Sequence, residues 1–62
     1  MRYKIDYLDA KGLIGTDHCT GTLAHARSIA EKAIATRMAD QVEIRDERDT
    51  IVFRRPSGPR LG

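Results

Sequence analysis

The chain is short of the residues that stabilise or anchor very small proteins: it has one cysteine, no tryptophan and one phenylalanine in 62 residues. Because Cys19 stands alone, no disulfide can form within the chain, and a lone thiol favours a reducing compartment, so we expect a cytoplasmic protein. No apolar run reaches the roughly 20 residues of a membrane-spanning helix, and MRYKIDY lacks the apolar centre of a signal peptide. With so few large apolar side chains, we expect a monomer of marginal stability.

The positive charge is confined to the C-terminal end. Residues 1–53 contain eight lysines and arginines against nine acidic residues, a net charge of −1, whereas the remaining nine residues carry three arginines and no acid, which gives the formal total of +2. Pro56 begins a segment rich in proline and glycine that ends regular structure. We therefore predict one folded domain over residues 1–55 and a flexible basic tail over residues 56–62.

The segment Thr22–Ala39 has the periodicity of an amphipathic helix with a thin apolar stripe. Thr22 is the predicted N-cap, and Arg37 in the last turn complements the negative end of the helix dipole. One face gathers the following side chains: Leu23, Ala26, Ala30, Ala33 and Ile34. Such a narrow face suits close packing on a sheet made by the rest of the chain.

Polar and apolar residues alternate in most of the other segments, which is typical of half-buried strands. We predict four strands, over residues 2–7, 13–19, 41–45 and 50–54. The predicted core consists of Tyr3, Ile5, Tyr7, Ile14, Leu23, Ala26, Ala30, Ala33, Ile34, Val42, Ile44, Ile51 and Phe53. The polar residues between them, Asp6 and Glu43 included, are expected on a solvated face of the sheet.

This order predicts an α+β fold of ββαββ type, in which two hairpins form a four-stranded, largely antiparallel sheet with one helix packed on one face. Either hairpin can occupy the centre of the sheet. The segments YKIDYLDAKG and VEIRDERDTIVF, with the helix between them, resemble small bacterial ββαββ domain proteins of uncharacterised function. The resemblance implies a fold and no activity. Such proteins commonly complete the second turn with glycine, where this chain has Asp49 and Thr50.

One cluster offers ligands or a nucleophile: Asp17, His18 and Cys19, followed by His25 at the start of the helix. Neighbouring strand residues point to opposite faces, so His18 and Cys19 do not converge on a zinc ion. A nucleophilic Cys19 would need a cleft and an orienting group, which a small sheet with one helix offers poorly. We predict a structural cysteine.

The acidic turn made by Asp46, Glu47 and Asp49 lacks the glycine hinge and further ligand of a calcium loop, so we interpret it as a solvated turn. The sequence thus predicts no catalytic residue, no metal and no cofactor, and we expect a protein that is not an enzyme.

Two functions remain. The first is a non-enzymatic protein-interaction or regulatory module that forms a homodimer, because the core is small and the edge sequence LIGTDHC lacks the lysines and prolines that block strand pairing. The alternative is weak nucleic-acid binding through the tail, with Arg54, Arg55 and Arg60 contacting phosphates. Tyr3 and Tyr7 are placed in the core, so they are not expected to stack on bases.

Overall fold

A computed structural model describes residues 1–58. The elements follow in the predicted order: β1 (Arg2–Asp9), β2 (Gly12–Thr20), α1 (Leu23–Ala35), β3 (Gln41–Arg45) and β4 (Ile51–Arg55). All neighbouring strands are antiparallel and form one sheet in the order β2-β1-β3-β4. The α+β ββαββ fold is confirmed, and the first strand of the first hairpin pairs with the first strand of the second. No helix in residues 1–58 has the length and apolar character needed to cross a membrane.

The helix begins where the sequence predicts and ends four residues early. Thr22 is the N-cap, and its side-chain oxygen accepts a hydrogen bond from the N–H of His25 at 3.2 Å. Helix α1 stops because Arg37 adopts a left-handed conformation with φ of 61°. The N–H of Met38 then donates to the carbonyl of Ala33 at 2.9 Å, and that of Arg37 donates to Ile34 at 3.1 Å. This is the Schellman pattern, with arginine in the position where glycine is usual.

The core lies between the sheet and α1, as the alternation predicts. Its buried members are Tyr3, Ile5, Cys19, Ala26, Ala30, Ala33, Ala39, Val42 and Ile44, with Tyr7, Leu23, Ile29, Ile34 and Phe53 packed around them. Leu8 is also buried, and Leu8, Cys19 and Ala39 are the buried apolar residues missing from the predicted core. Three alanines of α1 are buried, so the backbone of the helix approaches the sheet closely.

Two core predictions are wrong, both at irregular places in the sheet. Ile14 is the extra residue of a β-bulge, because Tyr7 pairs with Gly15 and Leu8 pairs with Leu13, and its side chain is 50% exposed. Ile51 is half-buried and lies outside the core cluster. The register of β3 and β4 shifts beside it, so strict alternation no longer assigns its face.

The sheet face opposite α1 is less solvated than expected, and we call it the charged face. Glu43 is fully buried there and Asp6 is 5% exposed. Arg54 donates to Glu43 with its Nη2 2.8 Å from Oε2, while the Nε of Arg45 lies 3.6 Å from Asp6. The long arginine side chains of adjacent strands therefore cover carboxylates that the sequence pattern places in water.

Candidate interaction surface

The two edges of the sheet differ in how well they are protected. At one edge, β4 has five residues, ends in Arg54 and Arg55, and is followed by Pro56. A short strand, charged side chains, a nearby proline and a bulge are the features that stop an edge from pairing with another chain. The edge of β4 is therefore blocked.

At the other edge, β2 has nine residues, GLIGTDHCT, with no lysine and no proline. The helix packs mainly on β3, with smaller contacts to β1 and β4, and of the β2 side chains only that of Cys19 joins the core cluster. Its only irregularity in pairing with β1 is the bulge at Ile14, near the hairpin turn. The stretch from Gly15 to Thr20 is thus a regular strand whose outer edge is open.

Exposed apolar side chains lie next to this edge. Leu13 is 56% exposed, Ile14 is 50% exposed and Met38, just after the helix, is 70% exposed. A cavity of about 270 Å³ separates the edge from the chain that leaves the helix, lined by Tyr7, Ile14, Gly15, Thr16, Asp17 and Met38. We call the side chains of Leu13, Ile14 and Met38 together with the β2 edge the β2 surface.

A hydrogen bond holds β2 to β1 at the floor of this cavity. The hydroxyl of Tyr7 donates to Oδ2 of Asp17 at 2.8 Å. Burial raises the pKa of Tyr7 from 10.0 to about 12, with further contributions from the hydrogen bond and from the negative charge of Asp17. Tyr7 therefore remains protonated at neutral pH and serves as a donor that fixes the position of Asp17, not as a base.

The arginines predicted to contact phosphates have partners within the fold. Arg54 is bound to the buried Glu43, and its Nη1 also donates to the carbonyl of Gly58 at 2.9 Å. Arg55 lies 3.1 Å from Glu31 and sits 5.5 Å from the centre of the Phe53 ring. Arg60 lies outside the described residues.

The sequence cluster around Cys19 does not assemble into a site. Cys19 is buried in the core, whereas His18 and His25 are exposed and Asp17 is bound to Tyr7. Across residues 1–58, no three side chains of the metal-binding types come together. The thiol is accordingly a packing group in this fold.

The carboxylate of Asp46 serves the β3–β4 turn. It accepts the backbone N–H groups of Arg48 at 2.9 Å and Thr50 at 3.0 Å. Asp49 has φ of 63°, a left-handed conformation that glycine adopts more readily than other residues. These acids shape the turn.

No family model, curated protein or solved structure matches this chain. The β2 surface therefore has to be interpreted from its own geometry. The sequence predicts strand β2 but not two apolar residues of the β2 surface. It assigns Ile14 to the core and Met38 to the helix. Gly15, a poor strand former that comes directly after Ile14, was the one sequence signal near the bulge.

Proposed function

We propose that this protein is a non-enzymatic protein-interaction module that associates with a second copy of itself. The observation that carries the proposal is the open edge of β2, whose nine residues include no lysine and no proline. Two of them, Leu13 and Ile14, expose apolar side chains, as does the nearby Met38. Open edges pair readily with other strands, and isolated proteins usually block them. The contrast with β4, a short strand that ends in two arginines and is followed by a proline, makes the open edge a specific feature of this chain.

The small core supports the same conclusion. The cluster beneath α1 contains one tyrosine, three aliphatic side chains larger than alanine, one cysteine and four alanines that are buried. Small domains with little apolar burial often gain stability by oligomerisation. Burial of Leu13, Ile14 and Met38 against another copy would add the apolar contact that the monomer lacks. The unpaired, buried Cys19 is compatible with the reducing conditions of the cytoplasm, where we place this module.

Sedimentation velocity across a concentration series tests the proposal. Between about 1 µM and about 1 mM, where moderate and weak dimers dissociate, the weight-average mass should rise from the 7.0 kDa of one chain toward twice that value. A mass that stays at 7.0 kDa throughout the series contradicts self-association.

A second candidate, nucleic-acid binding, draws support from a pair of guanidinium groups on the helix side of β4. Arg27 lies 5.1 Å and Arg55 5.5 Å from the centre of the Phe53 ring, and both side chains are about half exposed. Phosphate contacts through these groups should weaken steeply with salt. Binding of a fluorescent single-stranded nucleic-acid probe at low ionic strength tests this candidate. Arg55→Gln should reduce the affinity for the probe, and deletion of residues 56–62, which removes Arg60, should reduce it as well. Equal binding by the wild type and both variants contradicts it.

A further inference from the structure

We infer that the partner strand is β2 of the second copy, paired antiparallel about a two-fold axis at Thr16. This inference rests on the self-association proposed above and adds its surface and register. Pairing of the two β2 strands joins the two four-stranded sheets into one continuous sheet across their open edges.

The backbone groups of β2 that point outward follow from one bonded pair. Gly21 donates to the carbonyl of Met1 at 2.8 Å, and the amino group of Met1 donates back to Gly21 at 3.3 Å. Bonded and non-bonded pairs alternate along an antiparallel ladder, and the register is regular from there to Thr16. Thr16, His18 and Thr20 therefore belong to the non-bonded pairs and direct their N–H and C=O groups away from β1.

Charge excludes one of the possible axes. An axis at Asp17 would place the two Asp17 carboxylates directly opposite each other, with Cβ atoms about 5 Å apart, and like charges in that position destabilise a sheet. An axis at Thr16 instead places Asp17 opposite Gly15, which has no side chain, and Thr16 opposite its own copy. The axes that match outward backbone groups without a carboxylate clash are therefore at Thr16, His18, Cys19 and Thr20.

The apolar side chains favour Thr16. Ile14 lies two residues from Thr16, about 7 Å along the strand, but about 13 Å from His18. Met38 lines the same cavity as both Ile14 and Thr16. An axis at Thr16 therefore brings the exposed Ile14 and Met38 of each copy close to the centre of the contact, where they are best shielded from water.

The blocked edge of β4 determines the size of the assembly. A molecule with two open edges adds copies without limit, whereas one open edge is used up when two copies pair about a two-fold axis. Arg54, Arg55 and Pro56 close the other edge. The geometry therefore points to a dimer and not to a fibre.

Disulfide trapping locates the axis. In a Cys19→Ala background, single cysteines are introduced as Thr16→Cys, His18→Cys and Thr20→Cys, three exposed positions on the same strand. With the axis at Thr16, the two cysteines at position 16 have Cα atoms about 5.5 Å apart, which a disulfide can span. Those at positions 18 and 20 lie about 13 Å and about 26 Å apart. Mild oxidation should therefore link Thr16→Cys at least about tenfold faster than the other two.

Each result has a distinct meaning. Fastest linkage at position 16 supports the inference. Fastest linkage at position 18 or 20, or a dimer in sedimentation that links at none of the three, overturns the axis while self-association stands. A chain that remains monomeric overturns both.

A proline substitution gives an independent test without relying on oxidation. Because the N–H of Thr16 points away from β1, Thr16→Pro removes no bond from the ladder with β1 but removes the donor to the partner strand. The matched control is Thr16→Val, which loses the same side-chain hydrogen bond to Asp6 and keeps the N–H. Thr16→Pro should weaken dimerisation at least about tenfold relative to Thr16→Val. Equal dimerisation by two folded variants, judged by circular dichroism, contradicts the proposed pairing.

Discussion

Replacement of Arg54 by methionine should destabilise the protein far more than the same replacement of its neighbour Arg55. Arg54 binds the fully buried Glu43 through Nε at 3.0 Å and Nη2 at 2.8 Å, and its own side chain is 28% exposed. Removal of one partner of a buried pair leaves a charge in a poorly solvated position, which costs about 3–5 kcal/mol. Because Arg54 is partly exposed and Arg45 lies 3.7 Å from Glu43, we expect about 2–3 kcal/mol.

Arg55→Met is the matched control. It removes an ion pair with Glu31 in which both side chains are about half exposed. Exposed pairs of this kind contribute about 0–1 kcal/mol. A domain of this length has a free energy of unfolding of roughly 3–9 kcal/mol, so the change at position 54 is a large share of the total.

Urea denaturation followed by circular dichroism measures both variants at one protein concentration. Concentration must be fixed because self-association would add to the apparent stability. Equal midpoints for Arg54→Met and Arg55→Met would refute the assignment of Arg54 to a buried ion pair. They would also return Arg54 to the set of arginines available to phosphates.

Two further variants test local features of the fold. Arg37→Gly should raise the free energy of unfolding by about 0.5–1 kcal/mol, because glycine adopts the φ of 61° without strain. A thermal scan measures the increase. A decrease would show that contacts of the Arg37 side chain stabilise the fold by more than the left-handed backbone costs. Tyr7→Phe tests pH dependence: since the folded-state pKa of Tyr7 is raised from 10.0 to about 12, its contribution is fully present below pH 10 and is lost as pH rises through about 12. Discounted for solvent screening, the contribution of Tyr7 to the free energy of unfolding is roughly 1 kcal/mol. Urea titrations from about pH 9 to about pH 11 should therefore show a shallower loss of stability in Tyr7→Phe than in the wild type. Parallel curves would contradict the role of the Tyr7 hydroxyl as a protonated donor.

Much of the architecture could be predicted because it depends on local periodicity. The alternation around Tyr3 and Ile5, the alanine stripe of α1 and the N-cap at Thr22 are each encoded within a few residues. The strand order could not be predicted in this way, because the pairing of β1 with β3 joins segments separated by the whole of β2 and α1. Nothing in either hairpin alone distinguishes a central strand from an edge.

The errors occur where a local sequence pattern does not determine the three-dimensional surroundings of a residue. Period two assigns a residue to a face, but it does not say what covers that face, so Asp6 and Glu43 were placed in water although arginines from neighbouring strands bury them. Alternation along β2 assigned Ile14 to the core. The assignment was wrong because a bulge adds one residue at this point and shifts the alternation. The helix end was missed because Arg37 takes a conformation that the sequence signals only when glycine is present.

The interior position of β1 has a consequence for the folding rate. β1 ends at Asp9, yet one of its two neighbours, β3, begins only at Gln41. The pairing of β1 with β3 therefore closes a loop of about thirty residues, whereas each hairpin closes over a short turn. We expect this non-local pairing to form after the hairpins and to set the rate at which the sheet is completed.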